Sequence, residues 1–187
     1  MRQLKYYIKG VDLKTELLIG FSIVPFIILF GQLSVILFRS VNHVEFRNIP
    51  YFVFLGGGLA GLSVGLLLAK ILGKKMSEFW EITLINDLEL TIRFKKRKWE
   101  MKLDEILKFK IYGSTNFKYV SIYTNNQAIK MRFGNSGLTP FSTINDLKEL
   151  NNFMAEILPY FDKNYEKKDG TVQRSPSGTI KLTYLKK

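Results

Sequence analysis

Ile49 to Leu72 reads IPYFVFLGGGLAGLSVGLLLAKIL, a stretch whose only charge, Lys70, lies near its end. As a helix rising about 1.5 Å per residue it is long enough to cross the ~30 Å hydrocarbon core of a bilayer. Lys70 can reach the interface with its long stem. Yet the run holds Gly56, Gly57, Gly58, Gly61 and Gly65. In a water-exposed helix each would cost about 1 kcal/mol relative to alanine. A membrane turns them to use. Gly57, Gly61 and Gly65 fall four apart, and Ala69 and Gly73 continue the row. Residues four apart form one ridge of a helix, and a ridge without side chains lets a second backbone approach closely.

A partner lies just upstream. LLIGFSIVPFIILFGQLSVILF, residues 17–38, carries no charge and is about as long. Gly20, Val24, Ile27, Gly31 and Ser34 share one of its faces. The ridge can therefore seal an intramolecular hairpin, or serve as the seam of a homo-oligomer. Gln32 is the lone strongly polar residue at depth, and is expected to pair across the hairpin. Pro25 is expected to kink the first helix. A pore would usually show an ionisable residue at mid-depth, and neither run has one.

The sequence thus divides into an N-terminal segment (1–16), a first span (17–38), a short loop (39–48) and a second span (49–73). Arg2, Lys5, Lys9 and Lys14 precede the first span, and Lys70, Lys74 and Lys75 close the second. Positive residues stay on the cytoplasmic side. Both termini are expected there, with the loop RSVNHVEFRN outside, in a multi-pass protein of a bacterial inner membrane.

Past the spans the apolar period changes to two. Leu88, Leu90, Ile92 and Phe94 alternate with Glu89, Thr91 and Arg93, and Ile129, Met131 and Phe133 alternate with Lys130 and Arg132. This is the pattern of half-buried antiparallel strands. Six are predicted, at 80–85, 88–94, 98–103, 107–112, 118–124 and 127–133. A helix follows, opened by a capping box of Thr143 and Asp146 and striped by Leu147, Leu150, Phe153, Met154, Ile157, Leu158 and Phe161. Pro159 limits it to another turn at most. Strands closed by one amphipathic helix predict a small antiparallel barrel or bent sandwich over 76–161. The tail, 162–187, is basic. Its middle reads as a linker and 179–185 as a possible extra strand.

The order EITLI, LELTIRF, WEMKLDEI, FKIYG, YVSIYT, AIKMRF and DLKELNNFMAEILPYF resembles the pleckstrin-homology-like (PH-like) domains of bacterial membrane proteins, which often follow a pair of spans. The resemblance implies a binding or scaffolding module with seven strands, one more than the six counted. GNSGLTPFST is a place for the missing one.

Composition narrows the chemistry. The 187 residues include no cysteine and one histidine, His43. That removes thiol nucleophiles, cysteine-ligated metals and multi-histidine sites. No phosphate loop precedes a helix, and no carboxylate pair is placed for acid–base work. The chain is expected to be non-catalytic, with no cofactor or metal. A net charge of +12 favours anionic partners. Lys95, Lys96, Arg97 and Lys98 concentrate it at a hairpin tip, a candidate contact for lipid head groups. Nucleic acid is disfavoured, since the aromatic residues are mostly in spans or on inward faces. The sequence points to membrane lipids and an unidentified protein partner, with the PH-like domain as an interaction scaffold. Alternatives are an anionic-lipid sensor, an immunity-type protein that neutralises a toxin, and a small transporter or channel subunit.

Overall fold

The structure is a computed structural model, and it describes residues 2–135, 140–169 and 180–187. The chain forms two compact units: Met1–Leu13 with Met76–Lys187, and Lys14–Lys75. The first is interrupted in sequence by the second.

The first unit is a nine-stranded antiparallel sheet with one helix. Its strands are β1 (Gln3–Asp12), β2 (Glu78–Ile85), β3 (Glu89–Phe94), β4 (Arg97–Lys102), β5 (Lys108–Gly113), β6 (Phe117–Tyr123), β7 (Ala128–Gly134), β8 (Tyr165–Asp169) and β9 (Ile180–Lys186). Their spatial order is β4-β3-β2-β1-β7-β6-β5-β9-β8. The sheet is open, with β4 and β8 at its edges, so it is not the closed barrel that was one of the two expected forms. The helix lies between β7 and β8 in sequence and is not the last element.

The six predicted strands correspond to β2 through β7, within two residues at every end. The alternation that predicted them is the burial pattern: Ile82, Leu84, Leu90, Ile92, Ile129, Met131 and Phe133 are all buried. Of the three strands outside these six, β1 precedes them in the chain. The segment 1–16, read in the sequence as a stretch apart, supplies it. Tyr6 and Ile8 point into the core, while Lys5 and Tyr7 point out. GNSGLTPFST lies partly outside the described residues. β1 pairs with β2 from Gln3↔Ile85 to Gly10↔Glu78, then passes to β7 at Val11↔Arg132 and Asp12↔Met131. Gly10 sits at this transfer. A Cβ there would lie 2.6 Å from the Arg132 carbonyl and 2.7 Å from the Phe133 ring, so only glycine fits. β1 thus joins β2–β4 to β5–β9.

One hydrophobic core serves the whole unit. Trp80 stacks on Phe94 at 3.9 Å between centroids, and Phe109 on Phe161 at 4.6 Å. The helix α4 (Ile144–Asn164, numbered after three earlier helices given below) fills the core with Leu150, Phe153, Ile157 and Phe161. Its capping box forms as expected, with Thr143 Oγ1 accepting from the Asp146 N–H at 3.2 Å and Asp146 accepting from the Thr143 N–H at 2.6 Å. Asp146 also accepts from the Lys9 backbone at 3.0 Å, which ties the helix start to β1. α4 runs on through Pro159 to Asn164, five residues past the proline and so beyond the single turn expected. β8 and β9 follow it. Tyr165 and Tyr184 are buried there, and β9 pairs along all of β5. The linker read at 167–178 lies mostly outside the described residues.

The second unit is helical: α1 (Leu13–Phe21, beginning one residue before the unit), α2 (Val24–Asn42) and α3 (Tyr51–Met76). Leu13–Asn42 and Tyr51–Met76 are each long and apolar enough to cross a membrane. Their outer surfaces are apolar, with Leu18, Phe21, Leu29, Ile36, Phe52, Leu59 and Leu67 all exposed. The first run breaks at Ser22–Ile23, because Pro25 has no N–H to give and opens a new helix at its N-terminal end. Ser22 Oγ donates to the Ile19 carbonyl at 2.7 Å across the break.

Candidate functional site

The hairpin seam is built on glycine. A Cβ on Gly61 would fall 2.2 Å from the Phe26 carbonyl oxygen, and one on Gly57 2.4 Å from that of Phe30. On Gly65 it would meet Ile23 at 2.9 Å. Gly61, Gly65, Ala69 and Gly73 are buried and Gly57 is half-buried. From the facing helix, Gly31 receives the Phe54 ring, where a Cβ would sit at 2.6 Å. Ser34 Oγ lies 2.7 Å from both the Gly31 and Val53 carbonyls, a polar link across the seam. Within the chain, then, the ridge faces α2. Gln32 is not in this seam: it is exposed, a correction to its expected pairing across the hairpin. The face toward α3 is set by Gly31 and Ser34, and Gln32 points away from both.

The basic run forms the β3–β4 turn. Phe94 pairs with Arg97, leaving Lys95 and Lys96 as the two-residue loop. Lys95 has φ +55°, left-handed, with its ammonium 5.2 Å from the Phe94 ring centroid. The four cations do not act as one cluster. Lys98 is drawn onto the sheet's outer face by an ion pair with Glu100, which pulls the Glu100 carboxyl below its ordinary range. Trp99 turns inward and lies parallel to Trp80 at 6.1 Å.

The register places this turn. Arg93 lies across from Glu81, Tyr7 from Glu81, Lys9 from Phe79 and Gly10 from Glu78. The Lys95–Lys96 loop therefore shares an end of the sheet with the last residues of β1 and the first of β2. An open groove of about 500 Å³ lies there, where Lys9, Arg93 and Lys95 meet Phe79 and the carboxylates of Glu78 and Glu81. Phe79 is 56% exposed. In the sequence Lys9 reads only as a charge flanking a span, and the alternation around it in QLKYYIKGVD is the signal that places it on a strand.

Other candidates resolve into structural roles. Glu105 accepts from the Lys102 backbone N–H at 3.2 Å. His43 closes α2 in a left-handed conformation. Among the described residues, no group of three or more His, Asp or Glu side chains is placed to hold a metal. No family model matches the chain, and neither a curated protein nor a solved structure matches it.

Proposed function

We propose that the chain is a non-catalytic, membrane-anchored interaction module of a bacterial inner membrane, with both termini cytoplasmic and a PH-like domain presented to a protein partner. One observation carries the reading: the apolar hairpin is inserted between two hydrogen-bonded neighbours in the sheet, β1 and β2. An anchor spliced into a domain's own sheet fixes that domain at both ends of the hairpin and leaves both ends on one side of the bilayer. β1 also brings the strands before the helix to seven, the number the PH-like resemblance implies. Scaffolding needs such fixed presentation.

The test uses the full chain in its native membranes, cross-linked and recovered by affinity. The reading expects a stoichiometric protein partner, together with cytoplasmic labelling of a cysteine placed at Asn126 and external labelling of one at Asn42. The chain has no cysteine of its own to interfere. Ion flux through reconstituted full chain, or labelling of the two positions from the same side, overturns it.

The second reading is anionic-lipid contact. It is favoured by exposed Lys95 and Lys96 sharing one end of the sheet with Lys9 and exposed Phe79. Each cation near an anionic surface contributes ~1 kcal/mol. Full chain in neutral nanodiscs, incubated with anionic vesicles, reads this out by co-flotation. The contact predicts flotation lost in Lys95→Glu/Lys96→Glu, and flotation that is unchanged in that variant excludes it.

A further inference from the structure

The two halves of the sheet have unlike outer faces. On β1–β4 three outward carboxylates have a cation beside them: Glu81 lies across from Arg93, Glu89 across from Lys102, and Glu100 holds Lys98. On the other half the register assembles a different surface. One row across the strands reads Lys168, Thr183, Lys110, Ser121, Lys130. The next reads Lys181, Tyr112, Tyr119, Arg132. The row on the other side places Lys108 and Tyr123 between Glu166 and Ala128. Glu166, on the edge strand, is the one carboxylate in these rows. The cations are spaced by hydroxyl-bearing residues, so the face offers ammonium, guanidinium and phenol donors together.

From this we propose that the outer face of β5, β6, β7 and β9 docks an acidic polypeptide segment of a partner protein. The inference rests on the interaction reading above and names the chemistry of the partner. Charge complementarity calls for an anion, and side-chain placement selects among anions. A single-stranded nucleic acid needs open aromatic faces for its bases. Here Arg132 lies over the Tyr119 ring at 4.3 Å and Lys108 over Tyr123 at 5.8 Å. Tyr112, Phe117 and Tyr119 lean on one another at 5.3–6.0 Å. A lipid leaflet is met by protruding cations. Lys95 and Lys96 are exposed at their turn, whereas Lys108, Lys110, Lys130 and Arg132 are half-buried along the face. An extended peptide can lie in the face and bring carboxylates down to them. It would meet cations two residues apart along β5 (Lys108, Lys110) and along β7 (Lys130, Arg132), a spacing of about 7 Å, the repeat of same-side side chains on an extended chain.

The experiment titrates fluorescent poly-glutamate against the full chain in neutral-lipid nanodiscs, with oligo-thymidylate and anionic vesicles as parallel probes. Lys110→Glu/Lys130→Glu is compared with Lys95→Glu/Lys96→Glu, which makes the same charge change elsewhere, each matched to the parent by circular dichroism. The proposal expects salt-sensitive peptide binding that falls on the order of tenfold or more in the first variant and much less in the second. Equal losses in both variants, no peptide binding, or tighter binding of oligonucleotide or vesicles through Lys110 and Lys130 overturns it. The two readings fail separately. A cross-linked partner indifferent to Lys110→Glu/Lys130→Glu removes this face and leaves the scaffold. Position-dependent peptide binding without any native partner does the reverse.

Discussion

Gly10 and Glu78 are cross-strand neighbours, although the whole apolar hairpin lies between them in the chain. The domain is therefore discontinuous, and its sheet depends on a strand from the far side of the anchor. β1 lies in the middle of the strand order, with β2 on one side and β7 on the other. Removing it would expose the inner faces of both neighbours and unpair both ladders. A fragment of residues 76–187 is expected to be insoluble or molten. A chain in which Asp12 is joined to Ser77 by a short glycine linker is expected to fold as a soluble domain, because the two ends already lie close. Circular dichroism and a cooperative melt decide the matter: equal folding of both fragments would show that β1 is dispensable.

The hairpin seam yields a contrast between glycines. Gly61→Val drives a side chain into the Phe26 carbonyl, where a Cβ has only 2.2 Å. Overpacking of this kind costs ~1–3 kcal/mol. Gly56 has nothing within 4 Å, so Gly56→Ala leaves the seam unchanged. Cysteines at Ile27 and Gly58 report the result, since a Cβ on Gly58 lies 3.6 Å from the Ile27 side chain. Their disulfide yield should fall with Gly61→Val and stay level with Gly56→Ala. A seam used only between copies would instead lose dimer and keep this cross-link.

Much of this organisation is legible in the sequence, and the gaps have physical causes. Strands β2 to β7 show because alternate residues such as Leu90 and Arg93 face core and water. β1 has the same alternation in Leu4, Tyr6 and Ile8, but its lysines also satisfy the charge rule for the flank of a span, and that reading absorbs them. β8, with sequence YEKKD, has no apolar alternation at all, and its strand form comes from pairing with β9. The basic face is invisible along the chain because no strand gives it more than two cations and β6 gives it none. It exists only once register lines up Lys110, Lys130 and Lys168. The KKRK run, conspicuous in sequence, is divided by the same register, since strand alternation puts Lys98 beside Glu100.

The tip also stores backbone strain. Lys95 holds φ +55°, a conformation costing an L-residue with a Cβ roughly 1–2 kcal/mol. Lys95→Gly relieves it, and part of the gain is returned as entropy in the unfolded chain. The net expectation is a rise in stability of about 0.5–1 kcal/mol, while Lys95→Val, β-branched, destabilises. Denaturant unfolding of the full chain in micelles measures both. A glycine variant no more stable than its parent would mean that the turn is not strained in solution.

Tyr165 makes the alkaline limb of stability predictable. Its hydroxyl lies between the Leu103 and Ile106 carbonyls, at 2.6 and 2.7 Å, pinning the start of β8 to the turn before β5. Burial first, then the neighbouring Tyr160 and Asp104, push its pKa up from 10.0 to about 12. A folded-state pKa above the unfolded one favours the protonated native form. Below pH 10 the phenol is neutral in both states and its contribution is complete. Between pH 10 and about 12 the unfolded chain ionises first, so stability falls as pH rises. Tyr165→Phe removes the donor and strands two carbonyls, at a cost of ~1 kcal/mol near neutrality. It also removes this titration. The difference in unfolding free energy between parent and Tyr165→Phe should therefore shrink across pH 10–12. A difference that stays constant through that window would mean that the phenol ionises as freely in the folded protein as in the unfolded chain.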